Sequence, residues 1–300
     1  MRVRMKSLVL AILTLGLIVG MAQPAHAVTN TVIVYGEQLT DQQRAQVQEL
    51  LEVSESDAVE EHEVTGEDYA NYINGSPDAN MYSSAKITLG EEGAGLTVNI
   101  VTPDNITEVT KEMYANALLT AGVENATVDV ASPVAVTGHS ALTGIYKAYD
   151  VEGEQLDKER MELANDELNA ATDLAENEGI SQEQVSTLLT EIKRMIAEQN
   201  PATREDVEQI VQEQLQNLEI SLSEADRQML IDLFDRMRDL NIDFNQVQNQ
   251  LEDIASSVQE TAEELGLDRS FWEKVANFFS GVFASLSNFF GGLFGEGETQ

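Results

Sequence analysis

The chain contains no cysteine, few basic residues and only three histidines among its 300 positions. The first absence excludes a disulfide framework, a thiolate metal site and a thiol nucleophile. The second leaves 17 Lys and Arg against 53 Asp and Glu, a formal charge of −36. Such a charge repels nucleic acid and anionic headgroups at long range, so no nucleic-acid partner is expected. The third leaves little from which to build an imidazole base or a histidine metal cluster, because after His26 only His62 and His139 remain. Acidic residues are spread through both halves rather than gathered in one tail, the pattern of a solvated and colloidally stable surface.

What is present begins with Arg2, Arg4 and Lys6 ahead of an apolar run, Leu8 to Met21, that closes on Ala25-His26-Ala27. This reads as a secretory signal peptide over residues 1–27, with the mature chain starting at Val28 and the protein secreted or associated with the cell envelope. The run is short for a bilayer span with these flanks. Cleavage would remove three cations and make the chain three charges more negative. Stability outside the cell must then come from packing, for which the remaining length suffices.

The expected fold class is α+β. Residues 28–150 predict an α/β sandwich, one sheet with packed helices, residues 151–267 an all-helical region of antiparallel hairpins, and residues 268–300 an amphipathic aromatic helix with an acidic tail. In the first region Thr31 to Tyr35 is β-branched and aromatic, a strand that Gly36 ends. Thr40 with Gln43, and Thr65 with Asp68, have capping-box spacing and predict helix starts; Asn74-Gly75 predicts a stop. Two alternating runs, Ser84 to Leu89 and Leu96 to Val101, flank Gly90 to Gly95 and predict a β-hairpin. A phosphate loop would lead from strand to helix and carry a Lys-Ser/Thr pair, and this loop carries two carboxylates instead. A helix with Val109, Met113 and Leu118 follows, then a strand from Ala126 to Val130. Beyond Asp150 the apolar residues recur at helical spacing. Ser181 with Gln184, Thr203 with Asp206 and Ser223 with Asp226 mark starts after breaks at Gly179, Asn200-Pro201 and Ser221. Coiled-coil pairing with a partner, including a second copy, is the competing use of these stripes.

Ala131-Ser132-Pro133-Val134, Val136-Thr137-Gly138 and Ser140 to Tyr149 resemble the signature of the YpuA-like family of secreted Gram-positive proteins, the domain of unknown function 1002. Thr102 to Thr107 and Val34-Tyr35-Gly36 fit it too. The resemblance covers most of the mature chain and implies an exported, envelope-associated protein with no assigned biochemical activity. His139 departs from the pattern, in which a small polar residue such as threonine is expected.

Gly138-His139-Ser140 superficially matches a nucleophile elbow. Leu142 stands where a second small residue is needed, and no histidine follows Ser140 to serve as base. A turn glycine followed by a helix-capping serine is the better account. His62, between Glu60, Glu61 and Glu63, reads as part of a solvated strand or loop, and its spacing to His139 matches no metal motif. No catalytic, cofactor-binding or metal-binding residue is therefore assigned, and no cofactor is expected. The unusual feature is the tail, where Phe271, Trp272, Phe278, Phe279, Phe283, Phe289, Phe290 and Phe294 concentrate aromatics at helical spacing. Docking on the protein itself or on a second copy, insertion into a membrane surface, and a tail anchor are its three readings. The functional expectation is a non-enzymatic, exported, acidic binding or scaffolding protein that contacts a membrane surface or envelope component through the tail. A secreted hydrolase using a carboxylate pair or Ser140 is the alternative.

Overall fold

The computed structural model describes residues 31–53, 59–177, 179–265 and 271–272. Its first half builds one sheet of five strands, β1 (Thr31–Gly36), β2 (Glu60–Val64), β3 (Ser84–Leu89), β4 (Leu96–Ile100) and β5 (Ala126–Ala131), in the order β2-β1-β3-β5-β4. Interleaved with them are α1 (Asp41–Leu50), α2 (Gly66–Ile73) and α3 (Lys111–Ala121), and α4 (Ser140–Val151) follows the last strand. The second half is helical: α5 (Lys158–Asn177), α6 (Gln182–Gln199), α7 (Arg204–Asn217), α8 (Glu224–Asp239) and α9 (Gln248–Leu265). The fold is α+β.

Helix starts fall where the capping residues predict them. Thr40, Thr65, Ser181 and Thr203 each close a reciprocal capping box, and Ser223 accepts from the Asp226 N–H. Each box satisfies N–H groups that the helix cannot pair internally. Asn74 and Asn200 end α2 and α6 in the left-handed conformation, which asparagine tolerates better than other side-chain-bearing residues.

The sheet is two parallel β-α-β units joined through an antiparallel centre. β1-α1-β2 and β4-α3-β5 are parallel pairs, and β3 runs antiparallel to β1 on one side and to β5 on the other. Val47 of helix α1 and Leu51 at its C-cap pack on Ile33, Tyr35 and Ala131 on one face. Helices α3 and α4 cover the other face, against Val32, Val34, Ile87, Val98, Val128 and Val130. Both units step the same way across the sheet with their helices on opposite faces, so they have opposite handedness and one departs from the usual right-handed crossover.

The predicted β3–β4 hairpin does not form: β5 lies between the two strands. The glycine-rich loop instead passes around the entry to β5. The Gly93 and Gly95 N–H groups donate to Asn125 Oδ1 at 2.9 and 3.2 Å, and the Gly90 N–H donates to the Asn125 carbonyl at 2.9 Å. Gly93 and Gly95 have φ of +84° and +79°, open to glycine at little cost. Alternation identifies a strand, but strand order depends on what lies beside it, and here Asn125 satisfies the loop that a two-strand turn would have left shorter.

One apolar cluster runs without a break from the sheet through α3 and α4 to the later helices. Within it sits a polar joint. Lys193 of α6 is fully buried, with Nζ 2.6 Å from Glu167 Oε1 of α5 and 2.7 Å from the Asn116 carbonyl of α3. Thr120 Oγ1 donates to Glu167 Oε2 at 2.6 Å, and Asn116 Nδ2 donates to Thr190 Oγ1 at 2.9 Å. Arg160 Nε and Nη2 donate to the Thr120 and Leu119 carbonyls at 2.7 and 3.1 Å, capping the C-terminal end of α3 with a cation. Burial pushes the Lys193 ammonium down, and Glu167 opposes that shift. Removing one member of such a pair leaves a buried charge unmatched. We expect Lys193→Met to cost about 3–5 kcal/mol of stability, and the double change Lys193→Met with Glu167→Met to recover most of that loss, both read from urea unfolding midpoints.

Candidate functional site

The parallel ladder of β4 with β5 uses the odd-numbered residues of β4: the Gly95 carbonyl accepts from Ala126 N–H and the Val101 N–H donates to the Val130 carbonyl. Alternation then turns the backbone groups of Leu96, Val98 and Ile100 away from the sheet. Leu96 N–H is met by Gln250 Oε1 of α9 at 2.9 Å. The N–H and C=O of Val98 and the N–H of Ile100 have no partner among the described residues. Beside them a cleft of about 240 Å³ opens between β4, α3 and the first half of α9.

The cleft has an apolar floor of Val98, Ala115, Leu119 and Ile254 and a polar wall of Asn99, Lys111, Glu112, Asp253 and Ser257. Glu112 is 6 % exposed. Its Oε1 accepts from Ser257 Oγ at 2.9 Å and lies 3.6 Å from Lys111 Nζ, while Oε2 has no hydrogen bond among the described residues. Asp253 is exposed on the rim. The site thus combines an open strand edge, an apolar floor and two carboxylates, an arrangement able to hold an extended polar chain. Nothing in the sequence pattern singled out these residues. Leu96 to Ile100 looks like any half-buried strand, and only the strand order makes it an edge.

The residues that drew attention in the sequence lie elsewhere in structural roles. His139 occupies the N-cap position of α4 and makes no capping bond, so Ser140 sits in the first turn and is not the predicted cap. His139 Nδ1 lies 3.1 Å from Thr137 Oγ1 and Nε2 lies 3.2 Å from Thr172 Oγ1. Thr172 donates its own proton to the Leu168 or Asn169 carbonyl, which makes Nε2 the protonated nitrogen of a neutral ring. Burial pushes the His139 pKa down, against the pull of Asp173 and Glu176. The ring is spent on two threonines and none of its bonds reaches Ser140.

Gly138 has φ of +113°, and a Cβ there would stand 2.7 Å from the Tyr114 hydroxyl, which donates to the Gly138 carbonyl at 2.6 Å. Around it Val136 forms a parallel bridge with Ile106, Asn105 Nδ2 donates to the Ser132 carbonyl at 2.8 Å, and Tyr146 is buried in the main core. The stretch from Ala131 to Tyr149 is therefore a packed junction between β5, the Thr102–Thr107 turn and α4. His62 lies on edge strand β2, 3.5 Å from Glu60. Among the described residues no group of three or more histidines and carboxylates is placed to hold a metal ion, and no helix is long and apolar enough to cross a membrane.

Of the aromatic tail residues, Phe271 and Trp272 are described. They meet edge to face with ring centroids 4.9 Å apart and are 8 % and 5 % exposed within the main core. Phe278, Phe279, Phe283, Phe289, Phe290 and Phe294 lie outside the described residues.

A mixed sheet carrying one long helical half, with its cleft at a strand edge, defines an α+β protein in which the two halves share a core. The family described as a protein of unknown function, DUF1002, matches residues 35–254, and the chain belongs to it. It is similar to the uncharacterized protein YpuA of Bacillus subtilis (strain 168), with 31 % identity over 268 residues, which are 87 % of this chain and 89 % of that protein. No solved structure matches the chain at a significant level.

A buried carboxylate also sits away from the cleft, on α6. Glu191 Oε1 is 2.9 Å from Arg194 Nη1, but burial outweighs that attraction, Glu198 and Glu252 add to it, and the carboxyl is pushed up to about 7. The folded state then holds this proton more tightly than the unfolded chain, so its stabilisation is present in acid and is lost as pH rises through about 7. We expect the stability difference between the wild type and Glu191→Gln to change by up to roughly 3 kcal/mol from the ordinary value of 4.5 to above 7, measured by urea unfolding across that range.

Proposed function

We propose that this chain is an exported acidic protein of the cell envelope or extracellular space that works by binding and scaffolding. The observation that carries this reading is the free edge of β4. It offers main-chain donors and acceptors that have no partner among the described residues, beside an apolar floor, which is the equipment of a recognition surface. The polar residues that could have formed a nucleophile and base, His139 and Ser140, share no bond, and the histidine is tied to Thr137 of the preceding loop and Thr172 of α5. Export rests on the Arg2–Ala27 segment, and the large negative charge keeps the chain dispersed at the surface.

The aromatic tail supplies attachment in this proposal. Phe271 and Trp272 anchor it to the core, and the uncharged stretch from Val275 to Gly295 binds a membrane surface by apolar insertion, since it has no cations to attract headgroups. A second reading, a carboxylate hydrolase, draws on Glu112 and Asp253 sharing the cleft. Its test is turnover: incubation with peptidoglycan fragments and with peptides, followed by mass spectrometry, should return both unchanged. Cleavage that disappears with Glu112→Gln would replace the binding reading with the hydrolytic one. For attachment, the chain with and without residues 275–300 is floated with zwitterionic vesicles. The intact chain should float, and the shortened one should remain in the buffer with an unchanged unfolding midpoint.

A further inference from the structure

We propose that the edge of β4 takes an extended, lysine- or arginine-bearing segment of another polypeptide, which adds to the sheet as a sixth strand and directs a cationic side chain at Glu112 and Asp253. The inference rests on the binding reading above and names its ligand.

Three observations converge on it. The first is the ladder itself. Val98 presents an N–H and a C=O, and Ile100 an N–H, at the spacing an incoming strand requires, and the other edge of the sheet is unlike it. β2 carries Glu60, Glu61, His62 and Glu63, a run of charge that discourages strand addition. β4 carries Leu-Thr-Val-Asn-Ile with no charge at all.

The second is Gln250. Its amide oxygen accepts from the Leu96 N–H at 2.9 Å, the place where the carbonyl of a sixth strand would stand. A side chain on α9 thus already supplies the first rung of the missing strand, and no described residue fills the rungs beyond it.

The third is charge. Glu112 is 6 % exposed, borders the cleft and keeps one carboxylate oxygen without a hydrogen bond among the described residues. Asp253 is exposed at the rim, and Lys111 is the single cation lining the cleft among the described residues. Side chains of an added strand alternate between the faces. Those facing α3 and α9 would meet Ala115, Leu119 and Ile254 together with the two carboxylates, so an apolar stem ending in a positive charge fits. The whole chain, at −36, draws such a segment in from a distance and repels an acidic one.

The test uses the purified chain and a fluorescently labelled, end-capped Val-Lys-Val-Lys-Val peptide, read by anisotropy at low and at raised salt. Binding is expected, with a glutamate counterpart of the peptide failing to bind. Methylating alternate main-chain nitrogens, which removes ladder donors and keeps every charge, should weaken binding by about tenfold. On the protein, Asp253→Lys, at an exposed position, should weaken it by a similar factor. Val98→Pro removes the edge N–H where a proline is best tolerated, and its unfolding midpoint is checked first. Equal affinity for the plain and the methylated peptides, or an Asp253→Lys chain that binds undiminished, would show adsorption to an acidic surface and overturn the proposal. If Val98→Pro does not fold, the methylated peptide and Asp253→Lys still decide. Failure of every peptide to bind, with none cleaved, removes this ligand class and leaves the binding reading standing. Cleavage of the peptide seen by mass spectrometry overturns the binding reading itself.

Discussion

A lysine removed from water must find its ligands inside the protein, and Lys193 finds them on two other helices at once. Glu167 of α5 supplies the charge and the Asn116 carbonyl of α3 supplies a second acceptor, while the Phe244 ring lies 5.7 Å from Nζ. Because α3 packs on the sheet and α5 and α6 belong to the helical half, this one ammonium specifies how the halves meet. Apolar contacts alone are non-directional and permit sliding. A buried ion pair with a single satisfying arrangement does not, and that registry role is its best-supported use. Arg160 strengthens the same joint by ending α3 with a cation on two of its last carbonyls.

That joint positions the cleft. With α3 held by α5 and α6, α9 packs on α6 and brings Gln250 against Leu96 and Ser257 against Glu112. Among the described residues the edge of β4 is thereby covered at one end and open at the other. Sheet edges are usually blunted by charge or covered throughout. β2 follows the first device with its glutamates, two of which also serve α1: Arg44 reaches Glu61 and Glu63 while stacking 4.1 Å over the Tyr35 ring. Glu60, the remaining one, faces His62. β4 follows neither device fully, and that partial covering is what gives the cleft its chemistry.

The local signals of the chain were legible because they act over three or four residues. Thr40, Thr65, Ser181, Thr203 and Ser223 each announce a helix through bonds to their own first turn, and the apolar stripe of α9 announces its buried face, whereas α6 is buried on its polar side too, Glu191, Lys193 and Arg194 included. The Gly90–Gly95 loop misled for the same reason. Two strands and a glycine-rich connection make a hairpin locally, yet Asn125, thirty residues on, holds that loop open around β5. Ser140 was similarly misplaced by one position as a cap, since His139 is drawn into the N-cap by its bonds to Thr137 and Thr172.

From residue order alone came the α+β class, the helix starts, the acidic character and the family kinship carried by Gly138 and its neighbours. These depend on periodicity, on composition and on a backbone conformation that only glycine accepts freely. Strand order, the open edge of β4, the burial of Lys193 with Glu167 and the meeting of Glu112 with Ser257 were decided by tertiary structure. Each joins residues tens to more than a hundred positions apart, and no local pattern encodes a partner at that distance. The cleft exists because β5 enters between β3 and β4 and leaves β4 outermost.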